Sequence, residues 1–272
     1  MGKLLNSRVK YRSLSNELVC LVGCWRRLLK HISPMLGLVL LLVFLSLEVI
    51  MGISGNYLAR DGFQLTRADM MLMTANTTHV LGLLLAVSVV GILLLSETVM
   101  TKSQWVIAHQ GRRQFLFSQL INSILVALCV SVSVFVVIVL ISHSYARFDI
   151  NFQNKGSFFT AMTGVTKDVS LFQVEATILF ALIYLTSAIS LLYSALRWIT
   201  NSGISSAIIL VVFIALMGSG RIPGFELLPD LYLALYEGIL PCSWTLGIVC
   251  LSAIFISCFR IKNIDFLDSL DK

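Results

Sequence analysis

The sequence predicts an all-α, polytopic membrane protein with six transmembrane helices, an N-terminal interfacial amphipathic helix and a re-entrant helical hairpin between helices 5 and 6. Three observations lead to this fold class. Hydrophobic residues make up 57% of the 272 residues, charged residues make up 12%, and the mean hydropathy is +0.90. Soluble domains carry roughly twice that charged fraction. The apolar residues occur in long runs that lack the alternation of transmembrane strands.

Six of these runs have the length of a membrane-spanning helix. A helix rises ~1.5 Å per residue, so that ~20 apolar residues cross a ~30 Å hydrocarbon layer. The predicted spans are residues 35–53, 79–96, 115–142, 172–195, 198–217 and 239–259. Pro34 stands just before the first of them, where its missing N–H costs nothing. We expect residues 1–272 to form a single transmembrane domain.

Residues 12–32 form the predicted interfacial helix. Their apolar side chains recur every three or four residues on one stripe, whereas Arg26, Arg27 and Lys30 fall on the opposite face. A helix of this kind lies in the plane of the headgroups instead of crossing the bilayer. A disordered basic tail is the alternative. No cleavable signal peptide is expected, because the first 30 residues lack an apolar core followed by a small-residue cleavage site.

The segments between the spans differ in character. Residues 54–78 predict an outer loop, and residues 143–171 are too polar for lipid, which indicates a small extracytoplasmic cap or hairpin. Residues 196–203 predict a brief turn. Residues 218–240 contain Gly and Pro at both ends and an apolar middle, which predicts a pair of short helices that enter the outer leaflet and return.

The distribution of Lys and Arg predicts the orientation. With both termini in the cytoplasm, the inner segments hold 14 of the 20 basic residues and the outer loops hold 6. Short cytoplasmic loops are enriched in Lys and Arg, so this orientation is the expected one. A basic inner surface of this kind faces anionic lipid headgroups. We expect no nucleic-acid partner.

The sequence contains no pattern typical of a catalytic or metal site. A Gly-x-x-x-x-Gly-Lys-[Ser/Thr] loop for nucleotide phosphates is absent. The four His residues are dispersed, and the six Cys residues do not form paired ligand motifs. We therefore expect no enzyme activity in this chain, no metal and no bound cofactor.

Two carboxylates lie within apolar runs. Glu48 is in the first predicted span, and Glu175 is near the outer start of the fourth. Ionisable groups inside a membrane are costly, and they usually face protein or a watery path. One hypothesis is that Glu48 and Glu175 line a translocation pathway. The other is that Glu48 lies near the outer interface and accepts a hydrogen bond from a neighbouring helix.

The region from residue 97 to residue 119 carries a more specific pattern. Glu97 ends one apolar run, residues 101–110 form a short amphipathic piece, and Arg112 and Arg113 open the next run. This resembles the first cytoplasmic loop of ABC-2-type transporter permeases, where a Glu follows the second membrane helix and a short coupling helix rests on an ATPase subunit. The leading interfacial helix, the re-entrant segment and the charged exit at 260–265 are also similar to that family.

The resemblance implies a function and a set of site residues. The chain would be the membrane-spanning permease subunit of an ABC exporter in the plasma or inner membrane. It would work as a homodimer or with a paralogue, and separate ATP-binding-cassette subunits would hold the ATP. The residues that would couple it to an ATPase are Glu97, Lys102, Trp105, Val106, Ile107, His109, Arg112 and Arg113. Four positions depart from the family's pattern, namely Thr101, Lys102, Gln110 and Gln119.

Other functions remain open from the residues alone. Glu97 and the Arg pair would equally suit helix ends anchored at the headgroups. A secondary carrier or channel that needs no ATPase is the rival function, although such proteins usually show internal repeats, and no repeat joins residues 1–140 to residues 141–272. An integral membrane enzyme is a third class, and the missing catalytic cluster counts against it.

Overall fold

The computed structural model describes residues 37, 41–53, 55–56, 63, 65–100, 112–146, 148–219, 221, 228–238, 240, 242 and 244–260. Helix accounts for 82% of this part of the chain, and no strand occurs in it. The predicted all-α class is therefore confirmed. The predicted interfacial helix at 12–32, the predicted coupling helix at 101–110 and residues 222–227 of the predicted hairpin lie outside the described residues.

Nine helices have described bounds. They are α1 Leu41–Ile53, α2 Arg67–Asn76, α3 Thr78–Met100, α4 Arg112–Tyr145, α5 Phe158–Thr163, α6 Leu171–Thr200, α7 Gly203–Gly218, α8 Leu231–Glu237 and α9 Trp244–Arg260. Each of the six predicted spans overlaps one of the longer helices among them. The helices α2, α5 and α8 arise in the segments that were predicted to connect the spans.

In the part of the chain that the structure describes, two helices are long and apolar enough to cross a membrane by length and composition, namely residues Gln119–Tyr145 of α4 and the whole of α6. The helices α2 and α3 meet the same length and composition criteria only when they are taken together, and they are bent by 69° at the break between them. If this pair is one span, the number of candidate spans is three. The apolar helices α1, α7 and α9 are shorter. The structure therefore supports two or three of the six predicted spans on these criteria.

Several helices extend beyond their apolar runs. Helix α3 continues to Met100, α4 begins at Arg112, and α6 continues to Thr200, where the sequence had predicted ends at 96, 115 and 195. The predicted turn at 196–203 is reduced to Asn201 and Ser202. Asn201 adopts the left-handed conformation with φ of 55°, and its N–H donates to the carbonyl of Arg197. Asn is one of the few residues that tolerates this conformation at a helix end.

Helix α6 is the central helix of the bundle, because it contacts α3, α4, α7 and α9. Small and hydroxylated side chains line its packed face. Ser131 and Thr186 share a hydrogen bond of 2.6 Å, and Ser123 and Ser194 share one of 2.8 Å, both between α4 and α6. Small residues allow helices in a membrane to approach closely, and their hydroxyls then bond across the interface.

The helices α2, α5 and α8 assemble into a cap over one end of the bundle. The first N–H groups of α2 donate to a neighbouring segment, from Arg67 to the carbonyl of Phe148 at 2.8 Å and from Ala68 to that of Asp149 at 3.1 Å. The Asn76 side-chain amide connects α2 to the start of α8. Its Nδ2 donates to Oδ1 of Asp230, and its Oδ1 accepts from the Leu231 N–H. The prediction of a small cap in residues 143–171 is thus extended by elements from two other segments.

The described part of the predicted hairpin belongs to this cap. Helix α8 has only 7 residues, begins after Asp230 and ends at Gly238 in the left-handed conformation. A helix of that length is far shorter than the ~20 residues of a membrane crossing. Residues 231–237 therefore do not form a span, whereas the paired-helix geometry of residues 218–240 stays a prediction.

The surroundings of Asp69 predict that the stability of the cap depends on pH. Asp69 lies in the first turn of α2 and is fully buried, with Thr66 donating to its Oδ2 from the backbone at 3.1 Å and from the hydroxyl at 2.7 Å. Burial raises the pKa of this carboxyl to about 6, although the Thr66 hydrogen bonds oppose the rise. Because the pKa is raised on folding, the folded protein loses stability as pH rises from about 4 through 6.

We therefore expect Asp69→Asn to raise the melting temperature at pH 7.5 and to leave it almost unchanged at pH 4. The asparagine oxygen retains the Thr66 contacts and carries no charge, and the pKa difference corresponds to at most roughly 3 kcal/mol at neutral pH. Thermal unfolding of the purified protein at both pH values tests this. Glu237→Gln, at an exposed carboxyl, is the matched control. An equal shift at both pH values would contradict the assignment.

Candidate functional site

The candidate site lies at the end of the bundle away from the cap, where α3, α6 and α7 meet. Of the eight residues that the resemblance assigns to coupling, five lie outside the described part of the chain, and Arg112 and Arg113 are placed in the first turn of α4. Glu97 alone has a described side chain. It stands one turn before the end of α3, and so just ahead of the predicted coupling segment.

Glu97 forms an ion pair with Arg197 of α6. The Nε of Arg197 donates to Oε2 of Glu97 at 3.0 Å, and the two side chains are 28% and 18% exposed respectively. Helix α6 continues as far as Thr200, which carries Arg197 on its last turn to the level of Glu97. The attraction between such charges is stronger than in water, because the surrounding protein has a low dielectric constant.

Two further residues complete this arrangement. Tyr193 lies one turn before Arg197 on the same face of α6, and its hydroxyl adjoins the Glu97 carboxyl. Gly203 opens α7 directly against these side chains. A Cβ atom at Gly203 would lie 2.9 Å from Cδ2 of Leu94, 3.0 Å from Oε2 of Glu97 and 3.2 Å from the Tyr193 hydroxyl. We call Glu97, Tyr193, Arg197 and Gly203 the Glu97 cluster.

The Glu97 cluster fits a mechanical role better than a chemical one. It joins three helices through one ion pair and one close backbone approach, and it contains no nucleophile beside a base. Within the described residues, no group of three or more His, Cys, Asp or Glu side chains is placed to hold a metal ion. The cluster therefore connects the end of α3 to both α6 and α7.

The other two predicted carboxylates lie at the cap end. Tyr145, the last residue of α4, donates a hydrogen bond of 2.7 Å to Oε2 of Glu48 on α1. Gly52, one turn after Glu48, leaves room for the tyrosine, since a Cβ there would be 3.3 Å from its hydroxyl. This contact matches the hypothesis of a hydrogen bond from a neighbouring helix, and a pathway role for Glu48 stays a prediction.

Glu175 takes part in a charged contact with the cap. Arg67 of α2 lies between two carboxylates, with Nη2 at 3.9 Å from Oε1 of Glu175 and Nη1 at 3.8 Å from Oδ1 of Asp149. These distances are long for ion pairs, and Asp149 is 70% exposed. The contact connects α6 to α2, while a pathway role for Glu175 also stays a prediction.

Arg197, Tyr193 and Gly203 were not among the site residues predicted from the sequence. A signal for Arg197 was present, because it is the single basic residue between the fourth and fifth predicted spans. Its predicted side of the membrane is the same as that of Glu97, and opposite charges at one depth are candidates for a pair. Tyr193 and Gly203 carried no comparable signal, since their importance depends on how closely α7 approaches α3.

Comparison with known proteins yields no match: no family model, no curated protein and no solved structure is similar to this chain.

Proposed function

We propose that the chain is the membrane-spanning permease subunit of an ABC-2-type, ATP-driven exporter. In this proposal α1, α3, α4, α6, α7 and α9 cross the plasma or inner membrane, with both termini in the cytoplasm. Two permease subunits, identical or paralogous, form the translocation path. Separate ATPase subunits bind and hydrolyse ATP beneath them. Substrate is moved when nucleotide-driven closure of the ATPases changes the relative orientation of the helices.

The pairing of charged and polar side chains supports this topology. Three contacts join residues that the topology independently places on one side: Glu48 with Tyr145 outside, Arg67 with Glu175 outside, and Glu97 with Arg197 inside. A hydrogen bond or ion pair between helices requires its partners at one depth. The topology meets that requirement in each of the three cases.

The observation that carries the functional proposal is the position of the Glu97 cluster. Glu97 lies immediately before the predicted coupling segment at 101–110 and is tied to Arg197 on the central helix α6. A permease needs such a link, because force applied by an ATPase below the membrane must reach the helices that open the path. An interfacial anchor would need only exposure to the headgroups, whereas Glu97 is directed into the bundle.

Replacing Trp105 with alanine is expected to weaken ATPase association by about 30-fold, which corresponds to the loss of a typical aromatic hot spot of ~2 kcal/mol. The indole and its neighbours Val106 and Ile107 are apolar, and they avoid water by filling a groove on the partner. Co-purification of ATPase subunits from native membranes, followed by a binding titration, measures the effect. Trp244→Ala, at an 88% exposed indole, is the matched control.

Two outcomes would count against this proposal. If Trp105→Ala binds ATPase and transports like the parent, then Trp105 is an interfacial anchor and the docking surface lies elsewhere. If the parent chain purifies from native membranes without any ATPase, then the rival function, a secondary carrier or channel, is favoured. Both variants should reach the membrane equally, which is checked by their amounts in the membrane fraction.

A further inference from the structure

An open groove of about 420 Å³ lies beside the cap, between the first turns of α6 and the end of α8. Its α6 wall consists of one helix face, which includes Phe172, Ala176 and Phe180. The opposite wall includes Leu235 of α8 and Leu240, which follows α8. Phe172 and Leu240 are 76% and 63% exposed. The α6 wall extends over nine residues, from Phe172 to Phe180, or ~12 Å along the helix axis. Most of its surface is apolar.

One end of the groove is polar and carries both signs of charge. Lys167 and Asp168 are adjacent there, just before α6. The Lys167 ammonium donates to the carbonyls of Leu235 at 2.9 Å and Tyr236 at 2.6 Å, at the end of α8. An ammonium has three N–H donors, so one is left for a ligand. Oδ1 of Asp168 accepts from Gln153 at 2.6 Å, and its second oxygen is a further acceptor.

We infer that this groove binds one phospholipid with a primary-amine headgroup, a phosphatidylethanolamine, with an acyl chain along the α6 face. The inference rests on the membrane location in the proposed function. In that topology α6 starts at the outer interface, so Lys167 and Asp168 lie at headgroup depth. Phe180 lies about nine residues into α6, or ~14 Å along the helix axis toward the bilayer centre. The groove therefore spans the two environments that a phospholipid occupies.

The charge pattern selects this headgroup among common phospholipids. The lipid phosphate accepts from the remaining Lys167 N–H, and the lipid ammonium donates to Asp168. Phosphatidylcholine offers the phosphate but has no N–H for the carboxylate. Phosphatidylglycerol has a glycerol in place of the amine. Its net negative charge would therefore lie beside the Asp168 carboxylate and repel it. A lipid bound in this way would contact both α6 and α8, and so would stabilise the attachment of the cap.

The test is native mass spectrometry of the delipidated, purified full-length chain titrated with phosphatidylethanolamine, phosphatidylcholine or phosphatidylglycerol of identical acyl chains. We expect one phosphatidylethanolamine per chain, bound about fivefold more tightly than either of the others, as is typical of one charged contact near a membrane surface. Asp168→Asn should remove the preference over phosphatidylcholine. Lys167→Gln should weaken phosphatidylethanolamine binding, and Lys167→Arg should retain it.

A groove-filling variant tests the position of the acyl chain. Ala176→Leu should abolish the tight site, and Ser252→Leu, on an exposed position of α9 outside the groove, should leave it intact. Equal binding of the three lipids by the parent, or undiminished binding by Ala176→Leu, would overturn the inference. Alkaline carbonate extraction of membranes distinguishes failure of the lipid-binding inference from failure of the proposed function. A chain that carbonate releases from membranes does not span them, and the proposed function then fails whatever lipid the chain binds.

Discussion

Replacing Tyr232 with alanine is expected to destabilise the cap by about 3–5 kcal/mol, the usual cost of removing a large buried aromatic side chain. Tyr232 is 2% exposed and lies between the three cap helices. Its ring packs edge-on against Phe158 of α5 with centroids 5.8 Å apart, and its hydroxyl donates to the backbone carbonyl of Asp69 on α2 at 3.2 Å. Alanine removes both contacts and leaves a cavity where α2, α5 and α8 meet.

The measurement is hydrogen exchange of the cap segments together with thermal unfolding of the purified protein. Exchange should increase in residues 67–76 and 158–163 and change little in α4 and α6. Tyr236→Ala, at a ring that is 37% exposed, is the matched control and should cost less, ~1–2 kcal/mol, because its side chain buries less apolar surface. Tyr232→Phe separates the two contributions, because it removes only the hydrogen bond, worth ~1 kcal/mol. Comparable effects of Tyr232→Ala and Tyr236→Ala would refute the cap assembly.

Removing either partner of the Glu97–Arg197 pair is the second change with a large expected effect. We expect it to lower the free energy of unfolding by about 2–3 kcal/mol. Breaking a fully buried ion pair costs ~3–5 kcal/mol, chiefly because one charge is left buried without a partner. We place this pair lower, because Glu97 and Arg197 retain some exposure at 18% and 28%. In the proposed function, each single variant should also uncouple ATP hydrolysis from transport.

A double-mutant cycle of Glu97→Ala, Arg197→Ala and the combined variant measures the interaction directly. The double variant should be more stable than the sum of the two single effects implies, by ~1–2 kcal/mol, since no lone charge remains. Asp149→Ala is the matched control, because its contact with Arg67 is 3.8 Å long and its side chain is 70% exposed. Exposed pairs contribute ~0–1 kcal/mol. Strict additivity of the Glu97 and Arg197 effects would show that the two side chains act independently.

Most of the helices were predictable because their signal is local. A run of about twenty apolar residues can satisfy its backbone groups in lipid only as a helix, and such runs located the long helices. The ends were less accurate. Hydropathy marks where apolar residues stop, yet α3 continues past Glu97 and α6 past Arg197, since each charge is neutralised by the other and neither needs the helix to end.

The cap was predicted only in part. Residues 143–171 were recognised as too polar for lipid, but nothing local indicates that Asn76 bonds Asp230, or that Lys167 bonds the carbonyls that end α8. These contacts join residues far apart in the chain. Short helices such as α5 and α8 have weak intrinsic stability, and they are held by packing against other elements.

Composition and apolar run length were enough to predict an all-α chain with the character of a membrane protein, because each depends on the transfer of individual residues between water and an apolar phase. The partners of Glu97, Glu48 and Tyr232 required the folded arrangement of the helices. Pairing of side chains depends on which helix faces approach each other and at what relative depth. At Gly203, for example, the absence of a side chain allows α7 to approach the Glu97–Arg197 pair. That approach is a property of the packed bundle, and no single segment encodes it.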